Sequence, residues 1–536
     1  MRLRKLAPIV LLAALILAGC PNPPGGGDHT APTALASLEQ DSFLTIAEPI
    51  LITFSEPMDT GSLLLGGDMA AESDGGTWTG TDVLTVAPAA SWSAGAERTL
   101  TISARDLAGN LAPILTLALQ VVEVYLHVSD DGSDTNDGCA DHPMLSVQGA
   151  ISRADTFYST ALIKVAGGEY EFDSNVASPG DGAVVLVEGI CLRGGYDPAD
   201  WSEWDPVAHE TVLRDTNLDS TGSSAISAVN RAVYAPVGIT SATRVEGFTL
   251  IGGGGDFNTV FWLAGSPIVR GNFIQAGVCP GHTAAGESSR GIICTNDGTP
   301  RIEGNSITGG SGGHHAYAVE MLDAHPNVVG NVLYGGAGYS SSWGISIQQD
   351  SEPLIADNLI HSGDATGMAF AIGCTTNADA RIFNNTIYAI HRCLTMFSSA
   401  PDIRNNILMV FAGGCGIAEE NVCSPRVENN LFSGCTVLYR DDNATDVLSL
   451  DGAVVTTAAD PDLTLAGLGN VSGDPALADA DGLDDNLATM MDNDWHLTAA
   501  TALSVARGGQ DLSAFFTDDR DGITRTVPWS MGAYER

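Results

Sequence analysis

The chain has 536 residues, 62 of them glycine, with 23 basic against 65 acidic side chains and a formal net charge of −42. A charge of that sign and size argues against nucleic acid and against electrostatic docking on anionic lipid, since both require a basic footprint. The length predicts two or three domains, and abundant glycine with 6% aromatic residues fits an all-β chain of many short strands and turns.

Residues 1–19 read as an export signal. Arg2, Arg4 and Lys5 form a basic head, and the apolar run from Leu6 to Leu17 is too short to span a bilayer durably. The run ends in Leu17-Ala18-Gly19-Cys20, which resembles the lipobox of bacterial lipoproteins. That resemblance implies cleavage before Cys20, a diacylglycerol on its sulfur and, with several acyl chains, a stable membrane anchor. The alternative is an ordinary cleaved signal beside a chance cysteine. Residues 20–31 are rich in proline and glycine and read as a tether. Residue 21 is proline, not aspartate, so nothing here resembles the inner-membrane retention signal. The expected location is the bacterial cell envelope, at the outer membrane or cell surface.

Residues 32–122 read as one small β-sandwich. Apolar runs at 50–54, 83–86, 99–102 and 114–121 are separated by Gly, Asp and Pro turns. The phrases Phe54-Ser55-Glu56-Pro57-Met58-Asp59, Trp92-Ser93-Ala94-Gly95 and Asp106-Leu107-Ala108-Gly109-Asn110 resemble the bacterial Ig-like domain of S-layer and cell-surface proteins. The resemblance implies a spacer or stalk.

Residues 123–438 read as a solenoid with an N-terminal cap. A strand at Val124 to Val128 leads into a loop carrying Asp130, Asp131, Asp134, Asn136 and Asp137. Leu145, Val147, Ala150, Ile151 and Ala154 then follow at helical spacing. With Ile163-Lys164-Val165-Ala166-Gly167-Gly168 this series resembles the entry of bacterial pectate-lyase-like β-helix proteins of unassigned activity, in which a helix covers the open end. Some cap is physically required, because a bare coil exposes unpaired N–H and C=O groups.

One phrase then recurs. Asn272, Asn305, Asn331, Asn358, Asn385, Asn406 and Asn430 are separated by 33, 26, 27, 27, 21 and 24 residues. Each has Val or Ile three positions earlier, Gly, Asp or Asn one earlier, and an apolar residue two later. Anchors five apart would face opposite sides of a flat strand, so the chain must bend between them, at residue types that tolerate left-handed angles. Stacked in register, the amides can form a ladder along the axis. The pattern predicts a right-handed parallel β-helix of about ten to twelve coils, roughly 50–55 Å long at about 4.8 Å per coil. Residues 439–536 lose the phrase and gain acid (Asp474, Asp479, Asp481, Asp484, Asp485, Asp492 and Asp494), and read as irregular last coils with a distal cap.

The chemistry is less marked. Export would permit disulfides among the nine cysteines beyond Cys20, with Cys279–Cys294 and Cys415 with Cys423 or Cys435 as pairings, and stacked buried thiols as the alternative. Glu320, Asp323 and His325 fall on one coil and Asp350 and Glu352 on the next, a patch that can supply a general acid and base. Loop solvation accounts for it equally well. His314-His315 sits in a glycine loop and reads as solvated, and Lys164 lies too near the cap to act as a base. Asp130, Asp131, Asp134 and Asp137 form an oxygen-rich loop of the kind that calcium favours, without EF-hand spacing; turn residues that mimic backbone bonds are the alternative. No other cofactor is expected. The expected function is surface adhesion or binding of a glycan or protein through the β-helix of a lipid-anchored protein. A polysaccharide lyase or glycoside hydrolase on the same coils and a passive rod remain as alternatives.

Overall fold

The computed structural model describes residues 28–173, 184–217, 230–255, 257–279, 287–411, 413–421, 423–442, 446–450, 454–455, 463–464, 468–480 and 493–536. Residues 1–27, which include the expected export signal, Cys20 and most of the expected tether, lie outside the described residues, as do Asp481, Asp484, Asp485 and Asp492.

Two four-stranded sheets come first. One joins Ala34–Ala36, Ile50–Phe54, Val83–Val86 and Thr77–Thr79; the other joins Phe43–Thr45, Leu115–Val122, Gly95–Asp106 and Met58–Gly66. Strict alternation along Ile50–Phe54 buries Ile50, Ile52 and Phe54 and leaves Leu51 and Thr53 outside. These side chains share one core with Leu84, Val86, Trp92, Leu100, Ile102, Leu117 and Leu119.

The chain then enters three parallel sheets wound as a β-helix. The first sheet runs from Val124–Val128 to Arg426–Glu428, the second from Gly168–Phe172 to Val471–Ser472, and the third from Val184–Val185 to Val437–Arg440. A helix at Val147–Phe157 closes the N-terminal end, burying Val147, Ala150, Ile151 and Ala154 against Leu126, Ile163 and Leu192. Leu145 precedes that helix and is exposed, so the helical stripe begins two residues later than its apolar spacing suggests. The Ser146 Oγ accepts from the Gly149 amide at 3.1 Å and serves as N-cap.

The asparagines stand in file at the bend between the first and second sheets. Asn331 is typical. Its Oδ1 accepts from the amide (2.8 Å) and Nδ2 (3.0 Å) of Asn305, and its Nδ2 donates to Ile302 O at 2.8 Å and to Asn358 Oδ1 at 3.1 Å. The residue before each one is left-handed, with φ of +62° at Gly271 and Gly304, +69° at Gly330, and 56°, 52°, 60° and 54° at Asp357, Asn384, Asn405 and Asn429. The file is longer than the repeat count predicts. Asn470, in the phrase Gly469-Asn470-Val471, accepts from the Asn430 amide at 3.0 Å and donates to Val427 O at 2.8 Å. An interval of 40 residues and the loss of both apolar anchors, replaced by Gly467 and Ser472, hid this rung from the repeat.

The last segment returns along the flank. Trp495, Ala533 and Tyr534 pack on Val332, Leu359 and Tyr388; Val505 and Met531 pack on Ile407 and Leu431; Leu512 and Trp529 pack on Phe383. Residues 493–536 thus cover the side of several coils, where a distal cap would cover only the last. The left-handed corner supplies the docking groups. Asn384 Nδ2 donates to Ser530 O at 2.9 Å, Asn405 Nδ2 to Gln510 O at 2.9 Å, and Asn429 Nδ2 to Gly508 O at 2.7 Å, while buried Asp357 pairs with buried Arg525. The tail's cover begins at Val332, in a coil whose corner is Gly330, and the four later corners, all Asp or Asn, bond to it directly.

Candidate functional site

Three outward faces compete for a ligand, and two of them are covered. The sandwich docks on the first sheet's early coils. Phe43 and Val122 pack on Leu162 and Cys191, Gln120 Nε2 donates to Ala242 O at 2.7 Å, and Arg301 pairs with Glu97 at 2.8 Å. Buried Glu246 receives Arg193 at 2.8 Å and Arg270 at 3.0 Å, and Arg270 also reaches Asp41 of the sandwich at 2.9 Å. Burial works against the Glu246 carboxylate, but the arginines hold its pKa below the usual carboxylate range.

Lys164 sits beside that joint. Its Nζ donates to Trp201 O at 2.9 Å and lies 4.3 Å from the Tyr125 ring centroid and 5.0 Å from that of Tyr196. Burial pushes its pKa down to about 8. A lysine so tuned is a functional candidate in general, yet here aromatic rings and the docked sandwich enclose it. The tail covers the outer side of the second sheet, where His361 stacks between Tyr334 and Tyr388 at 5.0 Å from each.

The third sheet differs. Among the described residues, neither sandwich nor tail contributes to a hydrophobic cluster on its outer face. Register sets Arg231, Thr259, Arg290, Tyr317, Trp343, Phe370 and Arg392 in one outward column, and Tyr234, Trp262, Ile293, Glu320, Ser346, Gly373 and Thr395 in the next. The Trp343 and Phe370 rings stack 4.2 Å apart. Trp343 lies down on the sheet over Gly373, where an added Cβ would meet its ring at 2.3 Å, so only glycine leaves room for it. The Arg231 guanidinium covers the Trp262 ring at 4.2 Å, and the Arg392 guanidinium lies 5.7 Å from the Phe370 ring. Arg290 pairs with Glu320 beneath the rings, and Gln348 Nε2 donates to Glu320 at 3.2 Å. Met368 (36% exposed) and Phe397 (46%) extend the apolar part of the face.

The other expected site residues are dispersed. Asp323 lies near the end of the strand His315–Ala324 and Asp350 in the bend after Ser341–Gln348; both are exposed on the way from the third sheet to the first, with φ of 54° and 56°. Asp350 Oδ1 accepts from Asn377 Nδ2 at 3.1 Å. Among the described residues no hydrogen bond joins Glu320, Asp323 and Asp350, and Glu320 is neutralised by Arg290. His315 opens a strand instead of lying in a solvated loop; its Nδ1 is 2.7 Å from Ser341 Oγ, and burial lowers its pKa. In the entry loop, Asp134 Oδ1 accepts the Leu145 and Ser146 amides and Oδ2 accepts the Ser146 hydroxyl, so this carboxylate anchors the cap helix. Asp137 Oδ1 accepts the Cys139 amide at 3.2 Å.

The paired-cysteine expectation fails. Cys294 and Cys374 are unbridged thiols in one inward column of the core, so Cys279–Cys294 does not form, and burial raises both pKa values. Cys415, Cys423 and Cys435 are likewise thiols, bonded to the carbonyls of Ile417, Glu420 and Ser433. Cys415 lies in a strand and Cys423 and Cys435 in connecting segments; burial and the neighbouring Cys415 sulfur raise the Cys435 pKa, yet the two thiols stay unbridged. One buried carboxyl escaped sequence reading. Glu419 takes the column position of Met396, accepts the Tyr439 hydroxyl at 2.6 Å and is pushed up to about 7 by burial.

A search of curated proteins finds no match to this chain. Among solved structures, an L,D-transpeptidase from Mycobacterium smegmatis aligns at 16% identity over 19% of this chain, with a TM-score of 0.14. The alignment spans 46% of that transpeptidase's length. XylC in complex with xylose aligns at 10% identity over 76% of this chain and 98% of that one, with a TM-score of 0.35. A family 28 exopolygalacturonase of Yersinia enterocolitica aligns at 10% over 76% and 94%, with a TM-score of 0.20. None of these likenesses is close enough to transfer a residue's role. The family model of the right handed beta helix region matches residues 290–455. Together with the three long parallel sheets, that match identifies a right-handed parallel β-helix domain in this chain.

Proposed function

We propose that this chain is a lipid-anchored envelope protein that binds a glycan on the open face of its third sheet. The observation that carries the reading is the set of half-buried rings on the two outer columns, Trp343 stacked on Phe370 in one and Trp262 in the other, with the Arg290–Glu320 and Arg392–Glu420 pairs beside them. Flat aromatic rings present apolar area to the C–H faces of sugars, and rigid charged pairs beside them offer directed hydrogen bonds to hydroxyls. The lipobox at Cys20 supports anchoring, and residues 32–122, as an Ig-like stalk, would hold the solenoid clear of the membrane. The ion pairs between sandwich and first sheet support a stiff connection between stalk and binding face.

The test is affinity electrophoresis against a polysaccharide panel. The chain is expected to be retarded by at least one glycan without releasing reducing ends or unsaturated uronides. Trp343→Ala and Trp262→Ala are each expected to weaken retardation about tenfold, the loss of one stacking contact of roughly 1–1.5 kcal/mol. Retardation that ignores both substitutions, or none by any glycan, rejects the reading. Released products would move the function to catalysis.

A further inference from the structure

We propose that Asp137, Cys139 and His142 hold one divalent cation of the zinc class in the entry loop of the solenoid. One ligand atom from each of the three lies within 4.8 Å of the others. The decisive distance is that between Cys139 Sγ and His142 Nδ1, 3.5 Å. In a tetrahedral zinc site, bonds of about 2.3 Å to sulfur and about 2.0 Å to nitrogen place those two atoms about 3.5 Å apart. Sulfur and imidazole are soft and borderline donors, so zinc or cobalt fits this set and calcium does not.

The backbone holds the ligands in place before any ion arrives. Cys139 and His142 form an antiparallel bridge in which the His142 amide donates to Cys139 O at 3.0 Å, and the Gly138 amide donates to His142 O at 3.2 Å. Gly138 has φ of +79° and takes the His127 amide on its carbonyl at 2.9 Å, which pins the turn to the first strand of the solenoid. Asp137 Oδ1 accepts the Cys139 amide at 3.2 Å, which holds the carboxylate beside the thiol. Cys139 is also the exposed thiol among the described cysteines, whereas Cys191, Cys294, Cys374, Cys393, Cys415 and Cys423 are buried. All three ligands face solvent, so water fills a fourth position. Binding expels the thiol proton to solvent: the S–H bond breaks and a metal–sulfur bond forms, with no change of oxidation state.

The full chain, reduced and stripped with chelator, is titrated with Co²⁺ and then Zn²⁺. One equivalent of Co²⁺ is expected to produce a sulfur-to-cobalt charge-transfer band in the near ultraviolet, and one equivalent of Zn²⁺ to abolish it. Cys139→Ser should remove the band, and Cys139→Ser or His142→Asn should weaken zinc binding by about 100-fold or more, beyond what loss of an outer partner does. Cys435→Ser should change neither. Absence of the band at one equivalent, or a band that survives Cys139→Ser, overturns the proposal. Should a variant misfold, the unaltered chain decides: Zn²⁺, and not Ca²⁺, is expected to slow alkylation of Cys139 read by mass, and alkylation unaffected by Zn²⁺ overturns it equally.

Discussion

The second and third sheets are outward faces of the same coils, and each carries an aromatic stack. On the second, Tyr334, His361 and Tyr388 are stacked and end against Trp495 of the returning tail. On the third, Trp343 and Phe370 are stacked and the tail does not reach them. An aromatic stack on a β-helix is therefore no sign of a binding face by itself. The corner beside it discriminates: Asp357, Asn384, Asn405 and Asn429, where earlier coils carry glycine, spend their side chains on the tail. The comparison also separates repetition from departure. The amide file repeats one residue coil after coil and holds the winding, while the third sheet's outer columns change residue at nearly every coil.

The sharpest way to break this comparison is to unseat the tail. Arg525→Leu leaves the buried carboxylates of Asp357 and Glu535 without their cation and should cost about 3–5 kcal/mol. Hydrogen exchange should show protection lost along residues 493–536 and on the second sheet, with the third sheet unchanged. Loss spread equally over all three sheets would mean that the tail is part of the winding and not a cover.

Next in size is the file. Asn331→Ala strands the Asn305 amide and Ile302 carbonyl in the core and should cost about 3 kcal/mol in urea unfolding. Trp343→Ala on the open face should cost less stability than this while removing binding.

Acid then probes the covered stack. Burial lowers the His361 pKa to about 4. A base depressed in the folded state contributes stability that is complete above its unfolded pKa of about 6.5 and drains as pH falls toward 4, here by about 3 kcal/mol. His496 works in the opposite sense. Burial lowers its pKa, but hydrogen bonds to Asp521 and Asp494 outweigh this and raise it, so its contribution is present at low pH and fades as pH rises through the raised value. His361→Phe should flatten the acid limb of a stability–pH curve and leave the alkaline limb unchanged.

The winding was legible because its cause is local and repeated: a left-handed corner, an amide and two anchors five residues apart, written seven times. The docking surfaces were not, because their causes are neither. Arg525 meets Asp357 across 168 residues and Arg270 meets Asp41 across 229, with no periodicity to announce either. The shift from glycine to Asp and Asn at the corner stood in the sequence, but it acquires meaning only once the tail is seen against it. Asn470 was missed for a different reason. Its corner Gly469-Asn470 matches Gly330-Asn331, but Gly467 and Ser472 stand where the two apolar anchors belong, and the long interval before it concealed the rest. Among candidate acids, charge and proximity in sequence pointed to Glu320, Asp323 and Asp350 together. The backbone separates them, because position 320 faces outward from the body of a strand while left-handed angles turn the chain at 323, near that strand's end, and at 350, in the bend after the next.

The smallest expected effect concerns those two left-handed residues. Asn tolerates the left-handed region as well as Asp does, and both side chains are exposed, so Asp323→Asn and Asp350→Asn should each shift stability by no more than about 0.5 kcal/mol. Neither should alter retardation by a glycan, since neither lies in the outward columns of the third sheet. Their value is as a control on the open face. A hydrolase needs a second carboxylate across the bound sugar from the first, and these corner residues test whether one stands beside Glu320. If a polysaccharide is cleaved by the unaltered chain and spared by either variant, the corner belongs to the site. The covered and open faces would then differ by catalysis and not merely by access.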